Sequence, residues 1–187
     1  MRSFLLCSFT LLALVGCSLM SPRREPIALV PSIDLPRFMG DWYVIATIPL
    51  WPERKAYNPI ETYTLQADGT IGVRYRMRKG GFDKPLKVYR PTGFVEPGTG
   101  NALWGMQFVW PFKGEYRIAF VESSPNGDYS ATIIARSKRD YVWLMARTPT
   151  ITETDYQRYV QRIAAMGYDV AQLRRVPQQR PEPVTKD

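Results

Sequence analysis

Histidine does not occur anywhere in the 187 residues. Its absence removes the usual general base and the commonest metal ligand together. Cysteine is almost as scarce, with only Cys7 and Cys17, both near the N-terminus, so the body of the chain has no disulfide to lean on. No apolar run reaches the roughly 20 residues that a membrane-spanning helix needs; the longest, Phe4 to Leu14, is about half that. No nucleophile-elbow pattern is present. The carboxylates Asp34, Asp41, Glu61 and Asp68 are scattered through turns and edges with no visible facing pair of the kind a glycosidase requires. These absences argue against an enzyme, a metal centre or a bound cofactor.

The N-terminal stretch reads as a cleaved export signal. Met1-Arg2 gives a short positive start, Phe4 to Leu14 the apolar stretch, and Leu14-Val15-Gly16-Cys17 the end. That ending resembles a bacterial lipobox, which implies cleavage after residue 16 and a lipid anchor on Cys17. Several acyl chains on one residue hold well, since each buried methylene contributes roughly 0.8 kcal/mol. Ser18 stands where an inner-membrane lipoprotein usually carries Asp, which by the same resemblance implies the outer membrane, facing the periplasm. Loss of residues 1–16 also removes Cys7, and what remains suffices for one domain.

Basic residues outnumber acidic ones by 25 to 17. At a membrane surface this excess suits anionic head groups or lipopolysaccharide phosphate, or serves plain solubility. An exported chain is not expected to meet nucleic acid. Residues 17–36 hold four prolines and few large apolar groups, and read as an extended tether. Residues 178–187 read as a disordered tail. The intervening 37–177 form the folded domain.

That domain is written in short alternating runs separated by turn residues, an all-β signature. Trp42, Val44, Ala46 and Ile48 share one parity. After the Asp68-Gly69 turn, Ile71, Val73, Tyr75 and Met77 alternate with Arg74, Arg76 and Arg78, which read as a solvated outer face. Further candidates run through Leu86 and Val88, Phe94 and Val95, Trp104 to Phe108, Tyr116 to Phe120, Tyr129 to Ile133, and Tyr141 to Met145. The period then changes: Thr152 and Asp155 suit a capping box, Tyr156, Tyr159, Val160 and Ile163 repeat at helical spacing, and Gly167 suits a C-terminal cap. Val170 and Leu173 suggest a short strand behind the helix. Eight antiparallel strands in sequence predict a closed up-and-down barrel with one C-terminal α-helix, and a barrel of that size has room inside for one small ligand.

Gly40-Asp41-Trp42-Tyr43 resembles the Gly-x-Trp motif that opens the first strand of lipocalins. In that family the tryptophan closes the barrel floor under an arginine just past the last strand, which corresponds here to Arg147. Asp128-Tyr129 keeps part of the middle motif, with Gly127 where threonine is usual. Trp110-Pro111-Phe112-Lys113-Gly114-Glu115-Tyr116 and Arg139-Asp140-Tyr141-Val142-Trp143-Leu144-Met145-Ala146-Arg147-Thr148-Pro149 are similar to the bacterial lipocalins, outer-membrane lipoproteins related to apolipoprotein D. The resemblance spans about residues 35–177. It implies binding of a lysophospholipid or fatty acid, support of the envelope under stress, and homodimers in some members. Gly40, Trp42 and Arg147 are implied to be structural.

Parity supplies the candidate lining: Val44, Ala46, Val73, Tyr75, Met77, Val88, Trp104, Met106, Phe108, Tyr116, Ile118, Ile133, Trp143 and Met145. Each is equally open to being core. Tyr75, Tyr116 and Tyr141 offer hydroxyls to a phosphate. Arg90 faces inward only if its strand continues that far, and it reads rather as lying past the strand's end. The expected function is non-catalytic binding, storage or transport of a lipid. The alternative is an interaction lipoprotein with a filled barrel that works through its basic outer face.

Overall fold

The computed structural model describes residues 25–179. The signal segment, Cys17, the first part of the tether and the tail from residue 180 lie outside the described residues.

A single turn of helix, α1 (Leu35–Phe38), precedes the first strand; Asp34 caps it by accepting from the Arg37 N–H at 3.2 Å. The strands follow as β1 (Gly40–Ile48), β2 (Ala56–Leu65), β3 (Ile71–Lys79), β4 (Leu86–Tyr89), β5 (Thr92–Val95), β6 (Leu103–Val109), β7 (Phe112–Ser123), β8 (Tyr129–Ala135) and β9 (Val142–Ala146). Each pairs antiparallel with its neighbour, and β1 pairs with β9 to close the barrel. β4 and β5 both lie on β3 and fill one position of the ring, interrupted at Arg90-Pro91, so the barrel has eight positions. Proline lacks the N–H that a ladder needs, which accounts for the break. Closure leaves no long unpaired edge.

The strand count agrees with expectation for a partly accidental reason. β2 carries Asn58-Pro59 and Glu61, shows no clean alternation and is absent from the sequence-predicted strands, whereas β4 and β5 are predicted separately. Asn58 takes a left-handed conformation (φ 48°) at the β2 bulge, where its backbone N–H donates to the Pro177 carbonyl and its side chain accepts from the Gln179 N–H at 2.6 Å. The C-terminal segment is thereby tied to the barrel as far as Gln179, the second residue of the expected tail. The tether is likewise packed earlier than expected. Ile27 and Ile33 are buried, the Val30 N–H donates to the Ile118 carbonyl, and Arg117 reaches the Ile27 carbonyl at 2.8 Å. Two apolar side chains among the prolines suffice to hold that stretch against the sheet.

Helix α2 (Glu153–Ala165) has Thr152 as its cap, with the hydroxyl accepting from the Asp155 N–H at 3.1 Å and donating to the Asp155 carboxylate at 2.7 Å. Gly167 (φ 86°) takes the left-handed turn that ends it. Tyr156, Tyr159 and Ile163 pack against Ile45, Ala46, Ile133 and Leu144 on the outside of β1, β8 and β9. Behind α2, β10 (Arg174–Arg175) adds to the upper half of β1. The described residues therefore form two apolar clusters, one inside the barrel and one between barrel and helix.

Candidate ligand-binding site

One end of the barrel is sealed. The Trp42 ring lies at the floor, with the Arg147 guanidinium 3.8 Å from its centroid, a cation–π contact. Arg147 also donates to the carbonyls of Arg37, Phe38, Met39 and Asp41 at 2.7 to 3.1 Å, and the Trp42 indole N–H donates to the Phe38 carbonyl. These contacts fasten α1 across the floor.

Above the floor the interior is packed with rings from opposite strands. Trp104 and Tyr116 stack at 5.4 Å between centroids, Tyr116 meets Trp143 at 6.2 Å, Tyr63 meets Trp104 at 5.5 Å, and Trp143 stacks on Tyr75 at 5.5 Å. All are almost completely buried. The lower barrel is thus filled, in contrast to the hollow lumen that a lipid-binding barrel of this size predicts. Space remains towards the other end, where the loops 49–55, 80–85, 110–111 and 136–141 emerge. A cavity of about 90 Å³ opens there, lined chiefly by Leu50, Glu61, Met106, Phe108, Tyr116, Tyr141 and Trp143. Larger depressions of about 490 and 330 Å³ lie on the outer surface.

Of the sequence-predicted lining, Val44, Val73, Tyr75, Met77, Trp104, Met106, Tyr116, Ile118, Trp143 and Met145 belong to the inner cluster. Four of the predicted residues (Met106, Phe108, Tyr116 and Trp143) reach the cavity itself, Phe108 at the rim with half its surface exposed. Ala46, Val88 and Ile133 do not face inward. In β1 a bulge between Val44 and Ala46 shifts the register by one residue, so Thr47 points in and Ala46 lies under α2. Ile133 also lies under α2; β8 is apolar on both faces because the helix covers its outside, and alternation gives no cue there. Val88 pairs with Arg76 and shares its outward face, while Tyr89 opposes Tyr75 inside. Arg90 is exposed beyond the end of β4. Among the outer-face arginines, Arg78 is buried rather than solvated.

Two acidic residues occupy the interior, and neither is among the sequence-predicted site residues. Glu61 on β2 is fully buried; its Oε2 accepts from the Tyr63 hydroxyl at 2.5 Å, with the Tyr116 hydroxyl 3.5 Å away, and the two hydroxyls also contact each other. Its Oε1 is buried and has no partner among the described residues. Glu53, on the turn Trp51–Glu53, accepts from the Trp143 indole N–H at 3.1 Å. Among the described residues no lysine or arginine pairs with either acid. Burial pushes the Glu53 carboxyl up to about 8 against the opposing Trp143 bond. Burial likewise lifts Glu61 well above the ordinary carboxylate range; the Tyr63 bond opposes this and the Glu53 charge adds to it. Burial therefore favours the protonated form of both acids in the free protein. The signal for Glu61 is its shared parity with Tyr63, two residues on in a strand whose alternation is broken by Asn58-Pro59.

A lipocalin-like domain model matches residues 33–178. The chain belongs to the lipocalin-like family. This lipocalin is 27% identical to temperature-induced lipocalin-1 of Arabidopsis thaliana, over 83% of this chain and 85% of that protein. It is 28% identical to the outer membrane lipoprotein Blc of Citrobacter freundii, over 85% of this chain and 86% of that protein. Among solved structures it is similar to insecticyanin from the tobacco hornworm Manduca sexta, with a TM-score of 0.60 and 14% identity over 83% of this chain and 86% of that one. At that identity the likeness is one of fold.

Proposed function

We propose that this lipocalin is a non-catalytic carrier that takes a small amphiphile of the lysophospholipid or fatty acid class into the open end of its barrel. The observation that carries the reading is the cavity between Met106, Phe108, Tyr141 and Trp143, apolar on nearly every side and set above a sealed floor. Such a concave, mostly apolar site with few polar groups is the usual form of a small-molecule pocket. At about 90 Å³ it is smaller than the 150 Å³ or so that holds a benzene. A chain therefore enters only as Leu50, Met106 and Phe108 swing aside, and methionine is well suited to that.

The rim supports uptake from a lipid surface. Trp51, Phe108, Val109, Trp110 and Phe112 are all exposed large apolar residues on the open-end loops or the strand ends beside them, and the Lys79 ammonium stands 4.9 Å over the Trp51 ring. Tryptophan beside a cation is the composition favoured at a bilayer interface. A lipid anchor on Cys17 would hold this rim near its source on the periplasmic face of the outer membrane and raise effective concentration without new contacts. Full packing of the lower barrel favours the second reading, an interaction lipoprotein that acts through its surface.

Titration with a fluorescent fatty acid separates the two. Met106→Trp fills the cavity and should weaken binding at least tenfold, at a stability cost of about 1–3 kcal/mol. Equal affinity in that variant would place the ligand outside the barrel and support the second reading.

A further inference from the structure

A hydrocarbon chain gives no reason for a carboxylate at the inner end of the cavity. Glu61 nevertheless stands there, with Oε2 held by Tyr63 and Oε1 fully buried and lacking a donor. Leaving a buried polar oxygen unpaired is costly unless something completes it. The groups facing Glu61 are Tyr63 on its own strand, Tyr116 from β7, Tyr75 from β3, Tyr141 just before β9, and Glu53 from the turn after β1, whose ionisation would raise Glu61 further. Further out, Arg136 and Glu115 line the cavity, Arg117 pairs with Glu115, and Arg174 acts on Tyr75 from β10. The rings of Tyr116, Tyr141 and Trp143 wall the same space, Tyr141 and Trp143 at 5.1 Å between centroids. Once ionised, a buried carboxyl oxygen with no partner among the described residues, framed by aromatic rings and by acids lacking a cationic partner, is the complement of an ammonium group. Such a group brings three donors, one positive charge and attraction to ring faces.

We infer that the inner end of the cavity receives the protonated amine of a small amphiphile, with its nitrogen on Glu61 and its apolar body against Met106, Leu50 and Phe108. The inference rests on the carrier reading of the same cavity and narrows the occupant to amine-bearing over carboxylate-bearing or neutral molecules. Binding exchanges one positive charge for another. The neutral Glu61 carboxyl releases its proton to solvent as the ammonium arrives, so one proton leaves for each ligand bound and the cavity stays neutral.

The test uses the full-length protein in lipid nanodiscs, with empty nanodiscs as the blank. It is titrated by calorimetry at pH 7.5 with 2-phenylethylamine, 2-phenylethanol and 3-phenylpropionate, in phosphate and in Tris buffer. The amine should bind at least tenfold tighter than the alcohol, and the propionate weakest. The heats in the two buffers should differ by the equivalent of about one released proton, and the amine affinity should rise between pH 6 and pH 8. Glu61→Gln should bring amine and alcohol within about twofold and abolish the proton release. The proton count in the unsubstituted protein needs no variant to fold. An alcohol or propionate that binds as well as the amine, or amine binding with no proton released, overturns the inference and leaves the carrier reading standing. Failure of all three ligands, together with failure of the fluorescent fatty acid, removes the carrier reading and the inference with it.

Discussion

Glu53 lies on the turn after β1 with 6% of its surface exposed, and its carboxyl accepts from the Trp143 indole. Its folded-state carboxyl keeps its proton up to about pH 8, while the unfolded chain releases it near 4.5. Between those values the folded state binds more protons than the unfolded state, so stability falls as pH rises through that window. Glu53→Gln keeps an acceptor for Trp143 and removes the charge. By urea denaturation the variant should exceed the parent by roughly 2–4 kcal/mol at pH 9, the difference shrinking towards pH 4.5. A difference that does not change with pH would contradict a buried, protonated acid. Residues of this kind are hidden from a linear reading, since a glutamate in a Trp-Pro-Glu turn has the composition of an exposed loop. Trp42 and Arg147 are the opposite case. Their roles follow from a motif with a fixed partner, and the structure puts the guanidinium on the ring.

Among the elements, legibility tracks how many faces are wet. β3 alternates apolar residues with arginines because one side faces the lumen, and its inner residues Val73, Tyr75 and Met77 are as the pattern predicts. α2 was legible through its cap, its period and Gly167. β8 was not, since Thr132 and Ile134 fill the barrel while Ala131, Ile133 and Ala135 meet the helix. Parity fails in β1 beyond its bulge, and β2 escapes the pattern because Glu61 points inward and Asn58-Pro59 interrupts the alternation. The placement of Ile133 has a direct consequence. Ile133→Ala should cost about 2–5 kcal/mol by opening a gap under α2. It should leave the affinity for a fluorescent fatty acid within twofold, whereas a tenfold loss would return this side chain to the ligand site.

For the molecule as a whole, the closed barrel with one C-terminal helix follows from sequence pattern and the family from motif resemblance, and both agree with the findings; the helix's place against the outer wall is seen only in the structure. The amount of free space inside does not follow from pattern, because alternation names inward side chains without saying whether they meet. Here they do meet, and the rings of β2, β3, β6, β7 and β9 close the lower barrel. The proposed carrier role therefore rests on the exposed aromatic rim and the small cavity beneath it, with a net charge of +8 on the chain suited to an anionic surface. The most direct measurement is native mass spectrometry of the protein released from cell membranes, with Met106→Trp alongside. A single amphiphile of stoichiometry one should accompany the parent barrel and be missing from the variant. A bare chain mass in both, or an adduct that persists in Met106→Trp, would contradict the account.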